Sequence, residues 1–215
     1  MIAGADLVCL IIYPQAVPFL LYLFLLICFH MAEYLLTAAF RPDVLSFDNF
    51  LLNHSLPYQA MVVVSWFEYW LEFSLGVPGC SACKQWGVRN TVGLAVCLVG
   101  LLSRMLAMAT ASSNFSHIIE QERRCEHRLV TTGIYAVLRH PAYFGFFWFS
   151  IGTQLLLANP ICLLAYTAAS WHFFFDRIPY EEQLLVHFFG DEYLEYRKRT
   201  WIGIPLMSWF TRAAH

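Results

Sequence analysis

Residues 19–40 stay apolar for about 22 positions, the length a helix needs to cross the hydrocarbon core of a bilayer. Residues 56–75 and 91–111 repeat the pattern, and none of the three alternates apolar with polar side chains as a barrel strand does. Backbone in lipid must satisfy its own hydrogen bonds, so three such stretches commit the chain to helices. Composition agrees: 13% of the 215 residues are charged and 59% hydrophobic, whereas a soluble domain carries about 25% charged. The expected fold is all-α, a polytopic membrane bundle with a C-terminal helical hairpin and cytosolic amphipathic helices.

Ionisable residues interrupt the spans. His30 and Glu33 lie in the first, and Arg104 is alone in the third. Such groups normally face other helices or a cavity, and they read here as structural pairs or cavity residues. Glu68 and Glu72, one turn apart, mark the interfacial end of the second span. Residues 143–158 and 161–175 form two more apolar runs around an Asn159-Pro160 turn signal. At about 1.5 Å per residue each arm is near 23 Å, short of the roughly 30 Å core. This predicts a tight hairpin over 143–175, thin-spanning or re-entrant. Pro179 suits the first turn of a further helix, with Glu181 and Glu182 at its positive end, and Gly190-Asp191 breaks and restarts that helix. The chain thus divides into membrane helices over 1–111 and a cofactor-binding, catalytic region over 112–215.

Residues 1–13 are apolar but lack the basic start of a cleaved signal, and read as a retained membrane segment or short helix. Cys80 and Cys83 form one C-x-x-C pair without the second that a zinc site needs. A structural turn is the expectation, or a disulfide if the loop is lumenal. Ten of the thirteen Lys and Arg share one face by parity, against Lys84 and Arg89 opposite, which makes the basic face cytosolic. No basic cluster with interleaved aromatics points to nucleic acid. Histidine spacing is wrong for a metal, and neither G-x-S-x-G nor G-x-G-x-x-G occurs.

The stretch 127–143 is polar text between apolar segments, with Gly133 and Pro141 fixing its backbone. A charged loop that only sets topology is the plain alternative. The hairpin, however, must return residues 177–182 beside residues 139–143, since helices joined by so short a turn pack side by side. Arg, His, Tyr and Glu then gather where cytosol meets lipid, in a site suited to one reactant from water and one from the bilayer.

These residues resemble the isoprenylcysteine carboxyl methyltransferases of the endoplasmic reticulum. The matching text is His127-Arg128-Leu129-Val130, Gly133, Tyr135, the run from Arg139-His140-Pro141-Ala142-Tyr143 to Phe144-Gly145, Asn159-Pro160, Arg177 with Glu181-Glu182, and Phe189-Gly190-Asp191-Glu192-Tyr193. It covers about residues 115–205. The resemblance implies S-adenosylmethionine as methyl donor, contacted by His127, Arg128, Leu129, Val130, Tyr135, His140, Pro141, Ala142, Tyr143 and Glu181, with a further contact at Glu120 or Gln121. It implies that Arg177 addresses the acceptor, the C-terminal prenylated cysteine of CaaX-type proteins such as small GTPases, and that no metal takes part.

That acceptor carboxylate, with a pKa near 3.5, is already ionised, so alignment and exclusion of water matter more than a base. Arg177 is the expected clamp through its planar fork, and Glu181 is expected to steady either Arg177 or the cofactor's polar groups. A phospholipid N-methyltransferase, a sterol-reductase-like enzyme and a small transporter are the rival readings. The last of these typically carries inverted repeats, and only one hairpin is legible here.

Overall fold

The structure, a computed structural model, describes residues 16–52, 55–75, 84–123 and 127–207. Among the described residues six α-helices carry it: α1 Val17–Phe40, α2 Leu56–Leu75, α3 Val88–Ala111, α4 Pro141–Leu157, α5 Pro160–Phe189 and α6 Asp191–Arg199. Among the described residues, β pairing amounts to one isolated bridge between Leu138 and Trp201. The 1–13 segment and the Cys80/Cys83 pair lie outside the described residues.

Prolines open the helices. Pro18, Pro141 and Pro160 each sit in a first turn, where the missing N–H has no partner to lose. The hairpin forms as expected, with its turn at Ala158-Asn159: Ala158 adopts φ 54° and returns its N–H to α4 carbonyls. Its second arm differs. Pro179 does not start a helix but lies inside α5, which runs unbroken for 30 residues, about 45 Å. The lost hydrogen bond costs roughly 3 kcal/mol, and burial around the proline offsets it. Phe174 and Ile178 are at most 1% exposed in a cluster with Phe147, Ile151, Ile202 and Ile204. The apolar first half of α5 stays in the bundle, and its second half carries Glu181 and Glu182 beyond it. Gly190, at φ 55°, ends α5 and allows α6 to restart.

The antiparallel pair α3 and α4 packs backbone to backbone through four glycines. A Cβ added to Gly100 would stand 2.4 Å from the Phe149 nitrogen. At Gly145 it would lie 2.6 Å from the Gly100 carbonyl oxygen, at Gly152 2.6 Å from the Cys97 nitrogen, and at Gly93 2.3 Å from the Leu156 nitrogen. Lipid gives no hydrophobic drive between spans, so such close approach supplies the dispersion that joins them.

Each charge inside the spans is matched. Arg104 Nε donates to Glu33 Oε1 at 2.6 Å, and His117 Nε2 lies 2.8 Å from Glu33 Oε2. At the opposite end of the bundle, fully buried Lys84 pairs with Glu72 at 2.6 Å and donates to the Leu157 and Ala158 carbonyls. Glu68 is not merely an interfacial marker: its carboxylate accepts the Ile161 and Cys162 N–H groups and caps α5. These contacts lock the hairpin tip and hold its open ends in register.

After α6 the chain turns back along the hairpin. Arg139 N–H donates to the Trp201 carbonyl, and Trp201 N–H to that of Val137, both at 2.9 Å. Trp148 and Trp171 donate their indole N–H groups to Gly203 and Pro205. Residues 200–207 thereby brace the strand-like stretch that leads into α4.

Candidate active site

A cavity opens at the end of the bundle where α3 stops, α4 starts and α5 projects. Its wall carries ten of the residues singled out in the sequence: His127, Arg128, Leu129, Val130, Tyr135, His140, Pro141, Ala142, Tyr143 and Glu181. The hairpin does this work, because its turn sets Glu181 of α5 against the start of α4. Gly133, at φ 57°, bends the preceding chain where an added Cβ would come within 3.0 Å of Thr110.

Glu120 and Gln121 are not on this wall. Glu120 lines a neighbouring groove with Arg41, Asp48 and Ser116, and Gln121 is exposed. From His117 the chain leaves the bundle outward, with Ile118 exposed, so three or four residues suffice to carry these side chains away.

Arg177 lines a smaller cavity next door, with Leu51, Phe146, Phe173 and Phe174. Arg104, His117 and Tyr143 belong to both cavities. Tyr143 joins the two: its hydroxyl accepts from Arg177 Nε at 2.9 Å, and its ring stacks on His140 at 5.5 Å and 10°. Arg177 Nη2 also donates to the His117 carbonyl at 2.8 Å. Of the two expectations for Glu181, the brace on Arg177 is not the contact formed: its Oε2 lies 3.7 Å from His140 Nδ1, on the wall of the larger cavity. Two of the five guanidinium N–H donors are committed to protein, which leaves three for a ligand.

A charge network stands behind this surface. Glu182 accepts from Arg139 Nε at 2.6 Å and lies 3.3 Å from His140 Nε2, while Arg139 Nη1 donates to the Thr200 carbonyl. Burial alone raises the Glu182 carboxyl, but His140 and Arg139 outweigh burial and hold it at about 2. It is therefore a fixed negative charge that orients the imidazole. Burial, reinforced by Glu181, raises the Tyr135 hydroxyl above its ordinary value, so it remains a donor. Tyr196 O–H fixes that loop by donating to the Tyr135 carbonyl at 2.7 Å.

Glu181 Oε2 and Tyr193 OH, on the wall, are buried with no hydrogen-bond partner among the described residues. Such groups are costly unless something completes them. They fit a ligand with polar groups of its own. Tyr135, Tyr143, Phe189 and Tyr196 add flat apolar surface.

Arg104, read from the sequence as a structural pair or cavity residue, is both. Sequence reasoning missed His117, Tyr193 and Tyr196 as wall residues. The signal for His117 was present, since Glu33 within a span demands cationic partners. Nothing local announces the tyrosines, which reach the wall only because α6 folds back.

Comparison with known proteins bears on this arrangement. Residues 92–187 match the model of the isoprenylcysteine carboxyl methyltransferase family. Over 191 residues the chain is 48% identical to the protein-S-isoprenylcysteine O-methyltransferase of Xenopus laevis, covering 89% of this chain and 65% of that protein. The protein of that name from Dictyostelium discoideum is 43% identical over 198 residues, which cover 91% of this chain and 81% of that one. The fold matches the solved structure of a eukaryotic intramembrane Ras methyltransferase, an isoprenylcysteine carboxyl methyltransferase, with a TM-score of 0.85 and 42% identity. That match covers 91% of this chain and 68% of the other. The chain spans about two thirds of the length of its Xenopus relative.

Proposed function

The chain belongs to the isoprenylcysteine carboxyl methyltransferase family, and from that premise we propose that it methylates the α-carboxylate of a C-terminal prenylated cysteine, with S-adenosylmethionine as donor. The acceptors are CaaX-type proteins such as small GTPases, and the enzyme sits in the endoplasmic reticulum membrane with its site facing the cytosol. The basic residues at the site end support that orientation. The observation that carries the reading is the pair of cavities meeting at Tyr143, one polar and incomplete, the other holding Arg177 among aromatic rings.

When bound, S-adenosylmethionine supplies an electrophilic methyl group beside a positive sulfur. His127 to Val130, Tyr135, His140 to Tyr143 and Glu181 would hold it. Glu181 Oε2 and Tyr193 OH offer the hydrogen-bonding capacity its polar groups require. The Tyr143 and Tyr135 faces, electron-rich and apolar, suit a sulfonium and an adenine.

Arg177 receives the acceptor carboxylate. Its fork is held at Nε by Tyr143 and at Nη2 by the His117 carbonyl, so the remaining donors are aimed before the acceptor arrives, and less entropy is lost on binding. The carboxylate needs no base, being ionised at neutral pH. Phe146, Phe173 and Phe174 keep water from the approach and give the isoprenoid an apolar path toward the lipid.

The decisive experiment incubates the purified protein with labelled S-adenosylmethionine and N-acetyl-S-farnesylcysteine. Base-labile label in the thioether product supports the reading. Label on a phospholipid amine, or none on either acceptor, overturns it.

A further inference from the structure

Among the described cavities, a third one meets the two at the site. It is a groove between residues 41–51, which follow α1, and residues 112–120, which follow α3. Counted to its mouth it holds about 1430 Å³, more than the cleft beside it. Its walls mix apolar side chains with hydrogen-bonding ones, Val44 and Leu51 alternating with Ser46, Asp48, Asn49 and Glu120. Arg41 ties the walls together by donating Nη1 to the Ser113 and Phe115 carbonyls, at 3.3 and 2.9 Å. Leu36, Thr37, Phe40 and Met108 line the groove at the ends of α1 and α3, and the rest of its lining lies where the chain has left those helices, so the groove opens from the end of the bundle to water.

His117 lines all three cavities. Its ring is fixed by Glu33 at 2.8 Å and its carbonyl by Arg177 at 2.8 Å. A C-terminal prenylcysteine branches three ways at its Cα: the carboxylate, the thioether with its isoprenoid, and the amide that leads back into the protein. The reacting carboxylate belongs beside Arg177 and the cofactor cleft, and the isoprenoid belongs in the bilayer. The third arm must reach water, and the groove is the water-facing cavity that adjoins the other two.

Resting on the methyltransferase reading above, we propose that this groove binds the polypeptide segment immediately preceding the acceptor cysteine, with His117 at the branch point. An extended chain offers a backbone donor and acceptor at every residue, which the polar wall groups match. The groove also holds Arg41, whose charge is paired with Asp43, so Asp48 and Glu120 tip it toward basic over acidic side chains in that segment.

The test compares N-acetyl-S-farnesylcysteine with a farnesylated eight-residue peptide bearing lysines upstream of the cysteine. Val44 and Asp48 are exposed and carry no part of the cofactor or Arg177 cavities. Val44→Trp, which fills the groove, and Asp48→Lys, which reverses its charge, should each raise the peptide KM by about tenfold, while turnover of the small acceptor stays unchanged. The same peptide with a benzophenone three residues before the cysteine should photocrosslink to residues 41–51 or 112–120. Equal shifts for both acceptors, no shift for either, or crosslinks confined to residues 177–199 would each overturn the proposal. Wild-type protein that methylates neither acceptor refutes the methyltransferase reading itself, an outcome separate from loss of the peptide's selectivity.

Discussion

Arg177 donates its Nε–H to the Tyr143 hydroxyl at 2.9 Å, although 34 positions separate the two residues in sequence. The hairpin makes this contact, since Tyr143 lies in the first turn of α4 and Arg177 in the outer half of α5. The same tyrosine ring stacks on His140. The side chain assigned to the acceptor and the wall assigned to the donor therefore share one intermediary.

Substitutions at this contact should separate binding from transfer. Arg177→Ala is expected to leave S-adenosylmethionine affinity within about twofold while cutting kcat/KM for a prenylcysteine by at least about a hundredfold. Tyr143→Phe removes one hydrogen bond to a charged group and keeps the ring. That bond is worth about 1.5–3 kcal/mol, so a loss of roughly ten- to a hundredfold in kcat/KM is expected. Calorimetric titration of the cofactor beside initial rates reads both, and an Arg177→Ala protein that turns over normally removes the clamp from the mechanism.

The glycine seam gives a prediction about folding. A Cβ at Gly100 or Gly145 would fall within 2.4–2.6 Å of backbone atoms of the facing helix, and backbone cannot step aside as a side chain can. Gly145→Leu should force α3 and α4 apart and abolish a monodisperse peak in size-exclusion chromatography. Gly190→Ala meets nothing within 4 Å and strains only a backbone at φ 55°, ψ −130°, so it should fold with a cost of about 1–3 kcal/mol. Similar behaviour of the two variants would mean that close packing is not what joins the helices.

Much of this fold is legible in the chain because lipid leaves few options. Residues 19–40 and 91–111 announce spans by composition alone, residues 56–75 announce a helix that among the described residues is not apolar enough to count with them, and Asn159-Pro160 announces the hairpin. Pro179 misleads, because a local rule about proline yields to burial of Phe174 and Ile178 in the turns before it. Glu33 and Arg104 were each conspicuous, yet their pairing depends on how α1 packs against α3, which no local pattern states. Ten site residues collect on one wall because they occupy one continuous stretch and one helix turn joined by a short hairpin. Tyr193 and Tyr196 reach that wall by a tertiary fold-back that leaves no periodic trace.

The Glu33 and Arg104 pair carries a stability prediction. Both side chains are at most 8% exposed, and removing one partner leaves a buried charge unanswered, a loss of about 3–5 kcal/mol. Glu33→Gln should therefore lower the unfolding temperature in detergent sharply. The double variant Glu33→Gln with Arg104→Met has no orphan charge and should recover most of the loss. If the double variant is as unstable as the single one, the pair is held by something other than charge balance.

The Glu182 carboxylate makes the site acid-sensitive in a definite window. Its pKa is about 2 in the fold against an ordinary 4.5, so the folded state prefers the ionised form more strongly than the unfolded chain does. The resulting stability is complete above about pH 4.5, declines as pH falls toward 2, and vanishes below that. Glu182→Gln lacks this contribution at every pH and also leaves Arg139, 2.6 Å away in the native protein, without its counter-charge. The native protein should therefore unfold at a higher temperature than the variant at pH 6, and the gap should close progressively between pH 4.5 and 2 as protonation makes the native residue resemble the amide. Calorimetry in one detergent at pH 6, 4.5, 3.5 and 2.5 traces the gap. A gap that stays constant across that range would show that Glu182 is not the charge on which the network depends.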